Sequence, residues 1–246
     1  MIKIWSMKKD QTAGKKKAKI SPAQIRLQKD ISELTLPPSM VIHYPDPKDQ
    51  LRFNLFIQPE DGFYKNGTFK FSVVIPEDYP HSAPKVKCER TVYHPNIDIQ
   101  GNVCLNILRE DWKPVLNLTA VTSGMLFLFV EPNPDDPLNK EAANELRANR
   151  ETFARNVTAT MDGRRHPSST FSGVEFYKVN RGSTDEVELR AIREEQAKQA
   201  EENKKLEKER IKKEAEEKKR KEAEAAASAG GGVGGVDANG DVQMAA

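Results

Sequence analysis

The chain has 246 residues, of which 37% are hydrophobic and 31% charged, and a formal net charge of +2. That balance argues against a protein built to coat nucleic acid, and two cysteines are too few for a disulfide scaffold, so both are expected as reduced thiols. The most apolar run, "LTAVTSGMLFLFV" from Leu118 to Val130, is interrupted by Thr, Ser and Gly. It falls short of the roughly 18 to 20 residues of a membrane span, and the lysine-rich start shows no secretory leader. A soluble, intracellular monomer is expected, with no nucleic acid and no membrane as partner.

Residues 1–20 carry seven lysines and one aspartate behind the apolar tip of Ile2, Ile4 and Trp5. This reads as a flexible basic arm. The folded part is expected over 21–163, as an α+β domain. It opens with "SPAQIRLQKDISELTL", where Ser21, Pro22 and Gln24 form a capping box for a helix over Pro22 to Leu34. On that helix Ile25, Ile31 and Leu34 fall near one face.

Period-2 patterns follow in "MVIHY", "LRFNLFIQ" and "TFKFSVVI", separated by the turns "EDG" and "KNG", and "KVKCE" makes a fourth short strand. Leu51, Phe53, Leu55 and Ile57 share one side, as do Phe69, Phe71 and Val73. The pattern predicts an antiparallel meander. Thr91 to Val115 shows no regular period, and a loop that long inside a compact domain is usually functional. Helical patterns return at Leu118 to Val130, Asn139 to Ala148 and Arg150 to Met161.

Residues 164–184 read as a linker. Over 185–228 the chain is almost wholly Glu, Lys, Arg, Gln and Ala, with Glu four residues ahead of Lys in pairs such as Glu201 and Lys205, Glu214 and Lys218, and Glu217 and Lys221. Leu189, Ile192, Leu206 and Ile211 are too sparse for a heptad seam, so a solvated helix is expected. Residues 229–246, rich in Gly and Ala, read as a flexible tail.

Chemistry concentrates on "YHPNIDIQGNVCLNIL". Cys104 lies in the long irregular loop and fits a buried core thiol badly, whereas Cys88 in "KVKCE" fits one well. A thiol protease would need a histidine base held against the sulfur. His94, set between Tyr93 and Pro95, instead suits a turn. Scattered cysteines and histidines offer no metal-ligand spacing, so no metal is expected.

"YPHSAPKVKCERTVYHPNIDIQGNVCLNILREDWKPVLNL" followed by "EPNPDDPLNKEAA" resembles the catalytic domain of ubiquitin-conjugating enzymes. The match spans Ser21 to Met161, and "EDGFYKNG" with "NVCLNILREDWKPVL" resembles the neddylation branch, which conjugates the modifier Nedd or Rub. The resemblance implies four antiparallel strands with one helix in front and helices behind. It implies that Cys104 accepts the modifier from a thioester on the heterodimeric Nedd-activating enzyme and passes it to a target lysine, on cullins. A ubiquitin-conjugating enzyme of the same fold is the alternative.

Thiol-for-thiol exchange is nearly balanced, so Cys104 needs exposure more than a strong base. The resemblance implies that Asn96 either supports the tetrahedral oxyanion or braces the loop around it. Asp136 matches an acidic gate residue that orients the incoming lysine, and Leu138 a neighbouring gate position; His94 and Pro95 are structural. His81, Pro114 and Val115 match a surface for RING-type ligases. Arg26 and Lys29 match the surface that meets the activating enzyme. Met1, Ile2 and Ile4 match an extension that docks on the activating enzyme and on a co-ligase. No cofactor is implied, because ATP is used upstream by the activating enzyme. The expected location is cytoplasmic and nuclear.

Overall fold

A computed structural model describes residues 21–229. The expectations for Met1, Ile2 and Ile4 and for most of the tail lie outside the described residues. Helix α1, Pro22–Glu33, starts with the expected capping box: Gln24 N–H donates to Ser21 Oγ at 3.2 Å, and Ser21 N–H donates to Gln24 Oε1 at 2.8 Å. Of the expected face, Ile31 and Leu34 pack partly buried against the core, but Ile25 does not. Ala23, Leu27 and Asp30 point inward and Ile25 is exposed, because Asp30 has partners in the core that make it the better residue to bury.

Four strands follow: β1 Met40–His43, β2 Arg52–Ile57, β3 Phe69–Val74 and β4 Lys85–Cys88. They form an antiparallel meander in the order β1-β2-β3-β4. The register sets Phe53 opposite Val73, Leu55 opposite Phe71 and Ile57 opposite Phe69, so the period-2 residues of β2 and β3 share one buried face. Helix α2, Leu118–Val130, packs on that face, where the Phe129 ring stacks on Phe69 with centroids 4.3 Å apart. Helices α3, Lys140–Ala148, and α4, Arg150–Met161, are capped by the side chains of Asn139 and Asn149.

The expected linker at 164–184 is part of the core instead. Phe171, Phe176 and Val179 are buried, and the first two pack edge-on against Tyr93. Burial of two phenylalanines, about 1.5–3 kcal/mol each, holds a segment whose polar composition reads as a connection. Helix α5, Thr184–Ala229, also departs from expectation at its start. Leu189 and Ile192 are buried on Phe56, the β2 residue facing away from the main core, and on Val41 of β1. Asp185 receives two hydrogen bonds from Arg90 Nε and Nη2, and Lys70 bridges Glu188 at 2.9 Å.

The chain divides into two units at Arg193. In the second, the remainder of α5 is solvated and laced by charge pairs, but not all of the expected ones. Glu201 pairs with Lys205 and Glu217 with Lys221, while Glu214 takes Arg210 and Lys218 takes Glu222.

Candidate active site

The loop after β4 returns to the strand before it reaches Cys104. Asp98 shapes the return: its Oδ1 accepts from the N–H groups of Gln100 and Asn102, and its Oδ2 accepts from Asn102 Nδ2 at 2.7 Å. Gly101, with φ of +85°, completes the turn. A Cβ there would sit 2.1 Å from the Cys88 carbonyl oxygen, so only glycine fits. The chain then bridges Ile97 to Val103, and Cys104 N–H donates to the Asn96 carbonyl at 2.8 Å. Cys104 is thereby tied to Asn96, the residue that follows His94 and Pro95.

His94 is fully buried, stacked on Tyr64, with Nε2 against the Leu128 carbonyl at 2.9 Å and Nδ1 accepting from Asn96 N–H. The second bond places the ring proton on Nε2, which donates to Leu128. Burial lowers the His94 pKa to about 4, so the neutral ring is the form that fits. The ring is packed and hydrogen-bonded as part of the core. Pro95 contributes its carbonyl, which accepts from Asn139 N–H at 2.9 Å.

Asn96 is buried and its amide is fully occupied. Nδ2 donates to the carbonyls of Asn133 at 2.7 Å and Asp136 at 3.2 Å, and Oδ1 accepts from Asn133 N–H at 2.9 Å. Of the two expected roles, this geometry serves bracing. Asn96 ties the Cys104 loop to the segment 133–139, which carries Asp136 and Leu138.

The exposure expected of Cys104 is not found. Its side chain is buried, at 4% exposure, because two half-exposed side chains lie across the sulfur. Sγ donates to Asp136 Oδ2 at 3.1 Å, Arg109 Nη1 donates to Sγ at 2.7 Å, and Arg109 and Asp136 are 3.6 Å apart. Burial raises the thiol pKa and the bond to Asp136 adds to this, while the Arg109 guanidinium opposes both. Cys88 behaves as expected of a core thiol: it is buried, and desolvation pushes its pKa up to about 12.

Most of the remaining expected residues lie on the surface. Val115 is 80% exposed, and Pro114 and His81 are exposed beside Trp112, whose Nε1 donates to the Pro80 carbonyl. Lys29 is exposed, 3.9 Å from Glu33. Arg26 is not a free surface group. Its Nε donates to Asp30, and Nη1 and Nη2 donate to the carbonyls of Pro114 at 3.0 Å and Leu116 at 2.8 Å, so the helix residue holds the Pro114–Val115 loop. Leu138 is partly exposed beside Asp136. Among the described residues no group of three or more His, Cys, Asp or Glu side chains is placed to hold a metal.

Sequence reasoning missed Arg109. No periodicity marks it, since it follows a short 3-10 turn over Asn106–Leu108 and reaches the sulfur only through the tertiary path of the loop.

Residues 26–161 match the family described as "Ubiquitin-conjugating enzyme". The chain belongs to the ubiquitin-conjugating enzyme family. It is therefore a transferase with the α+β fold expected from the sequence. It is 56% identical to the "NEDD8-conjugating enzyme UBC12" of Yarrowia lipolytica, over 66% of this chain and 92% of the relative. It is 53% identical to the "Nedd8-conjugating enzyme UbcE2M" of Drosophila melanogaster, again over 66% and 92%. Among solved structures, "S. cerevisiae Ubc12" aligns with a TM-score of 0.60 at 40% identity, covering 66% of this chain and 88% of that one.

Proposed function

We propose that this ubiquitin-conjugating family member is a NEDD8-conjugating enzyme, with Cys104 as the residue that carries the modifier. The observation that supports the modifier is the likeness to relatives named for NEDD8 conjugation, which extends over 92% of the first two relatives' length. The observation that supports the residue is the meeting of Cys104 Sγ with the Asp136 carboxylate at 3.1 Å.

The chemistry runs in two steps. Arg109 and Asp136 shift far enough to uncover Sγ while staying within its reach, and the Cys104 thiol gives up its proton as the sulfur attacks the carbonyl carbon of the modifier's thioester on the activating enzyme. A new S–C bond forms and the activating enzyme's thiolate leaves. Asp136 is placed to receive the Cys104 proton as the charge develops. In the second step a target lysine attacks the same carbonyl, the C–N bond forms and Cys104 is released. Free lysine has a pKa near 10.4, so the attacking amine must lose a proton, and the Asp136 carboxylate beside the thioester orients it and accepts that proton. Asn96 acts on both steps by holding segment 133–139 against the sulfur. No cofactor takes part in either step, and ATP is used by the activating enzyme.

The exposed His81, Pro114 and Val115 are the proposed meeting point for a RING-type ligase. The exposed face of α1 around Lys29 is the proposed surface for the activating enzyme, and cullins are the proposed targets. The deciding experiment loads the purified protein with the NEDD8-activating enzyme, NEDD8 and ATP, in parallel with the ubiquitin system, and resolves products on non-reducing gels. A reductant-sensitive adduct with NEDD8, missing in Cys104→Ala, is expected. An adduct with ubiquitin alone would keep the chemistry and replace the modifier.

A further inference from the structure

Arg109 stands against the sulfur with no structural task that accounts for it. Its side chain is about half exposed, it caps no helix through its guanidinium, and the contacts it makes are to Cys104 Sγ and to Asp136. At 2.7 Å the guanidinium donates directly to Sγ, and a cation in that position favours negative charge on sulfur. It also borders a groove lined by His81, Lys85, Asn102, Leu108 and Trp112, which gives the side chain room to move without leaving the site.

We infer that Arg109 is a positioning residue for the sulfur's charge: it lies across Cys104 in the unloaded enzyme and stabilises the Cys104 thiolate as it attacks and as it leaves. The inference rests on the reading of Cys104 as the carrier of the modifier. In aminolysis the lysine nitrogen bonds to the carbonyl carbon, the C–S bond breaks, and the electron pair stays on Sγ. The amine proton passes to Asp136 and on to solvent. Arg109 donates to the sulfur as its charge appears, so the leaving group is matched by a cation already within reach.

Two charged groups face the sulfur among the described residues, Arg109 from its own loop and Asp136 from the segment before α3, and Glu110 acts on Arg109 in turn. Loss of Arg109 therefore leaves the thiol with the carboxylate alone. The full-length wild type, Arg109→Ala and Arg109→Lys are compared in two measurements. The first is the rate of iodoacetamide alkylation against pH, followed by intact mass. Cys88 is as buried as Cys104, so peptide mapping of the alkylated protein assigns the modification to Cys104. The second is single-turnover discharge of the loaded enzyme to free lysine.

For Arg109→Ala the alkylation midpoint is expected to move up by about one pH unit, and its plateau rate to rise because the sulfur is uncovered. Discharge is expected to slow by roughly 10-fold, less than for a buried oxyanion donor because the site is open to water. Arg109→Lys, which keeps the charge, is expected to fall between the two in both measurements. An unchanged midpoint, or a moved midpoint with discharge at the wild-type rate, would overturn the inference. Failure of the wild type to load any modifier would instead overturn the functional reading, and the alkylation midpoint would still decide whether Arg109 acts on the sulfur.

Discussion

Asn96 and Asn133 hold each other reciprocally: the Asn96 amide donates to the Asn133 carbonyl at 2.7 Å, and Asn133 N–H donates back to Asn96 Oδ1 at 2.9 Å. Through this pair the loop that carries Cys104 and the segment that carries Asp136 behave as one piece. Asn96→Ala leaves two backbone carbonyls and one N–H without that partner, and is expected to cost about 2 kcal/mol in urea unfolding. Lysine discharge is expected to fall by more than alkylation of Cys104, because the thiol stays in place while Asp136 drifts. Equal loss in both assays would point to collapse of the whole site.

His94 makes stability depend on pH. Its folded pKa, about 4, lies below the unfolded value of 6.5, so the unfolded chain binds the extra proton in that window. The contribution of the neutral ring is complete above about pH 6.5 and is lost as the pH falls toward 4. Between pH 7.5 and 5 it amounts to about 2 kcal/mol. Urea unfolding at the two pH values is expected to show that loss in the wild type and a smaller one in His94→Gln. Equal losses would exclude His94 as the source.

Arg26 joins α1 to the loop at Pro114 and Leu116 and neutralises the buried Asp30, which also accepts from the Tyr79 hydroxyl. Arg26→Ala is expected to lower stability by about 2–3 kcal/mol, discounted from a fully buried pair because the guanidinium is partly exposed. Arg26→Lys is expected to recover little, since one ammonium cannot reach the three acceptors of the planar fork. Thermal unfolding of the two variants decides it, and full recovery by lysine would show that only the charge matters.

The first turns of α5 belong to the catalytic domain, while the charged remainder forms a unit of its own. Truncation after Arg193 is expected to leave the melting temperature of the domain within about a degree. Leu189→Ala in the full chain removes a buried side chain from Phe56 and is expected to cost about 2–3 kcal/mol. A truncation that destabilised the domain as much as Leu189→Ala would refute the division at Arg193.

Local and periodic features were legible in the sequence. The capping box at Ser21, the alternation in β2 and β3, the helix caps at Asn139 and Asn149, and the motif from His94 to Cys104 all depend on neighbours a few residues apart. Four decisions needed the tertiary structure. Asp30 rather than Ile25 is buried because Arg26 and Tyr79 converge on it. Phe171, Phe176 and Leu189 leave the polar segments around them to fill apolar surface made by residues over seventy positions earlier. Asn96 braces because the segment 133–139 passes within hydrogen-bond reach. Cys104 is covered because Arg109 and Asp136, 27 positions apart by their numbers, meet over its sulfur. Short-range pattern encodes which elements form; the free energy of burying apolar surface and satisfying buried polar groups chooses which distant side chains meet.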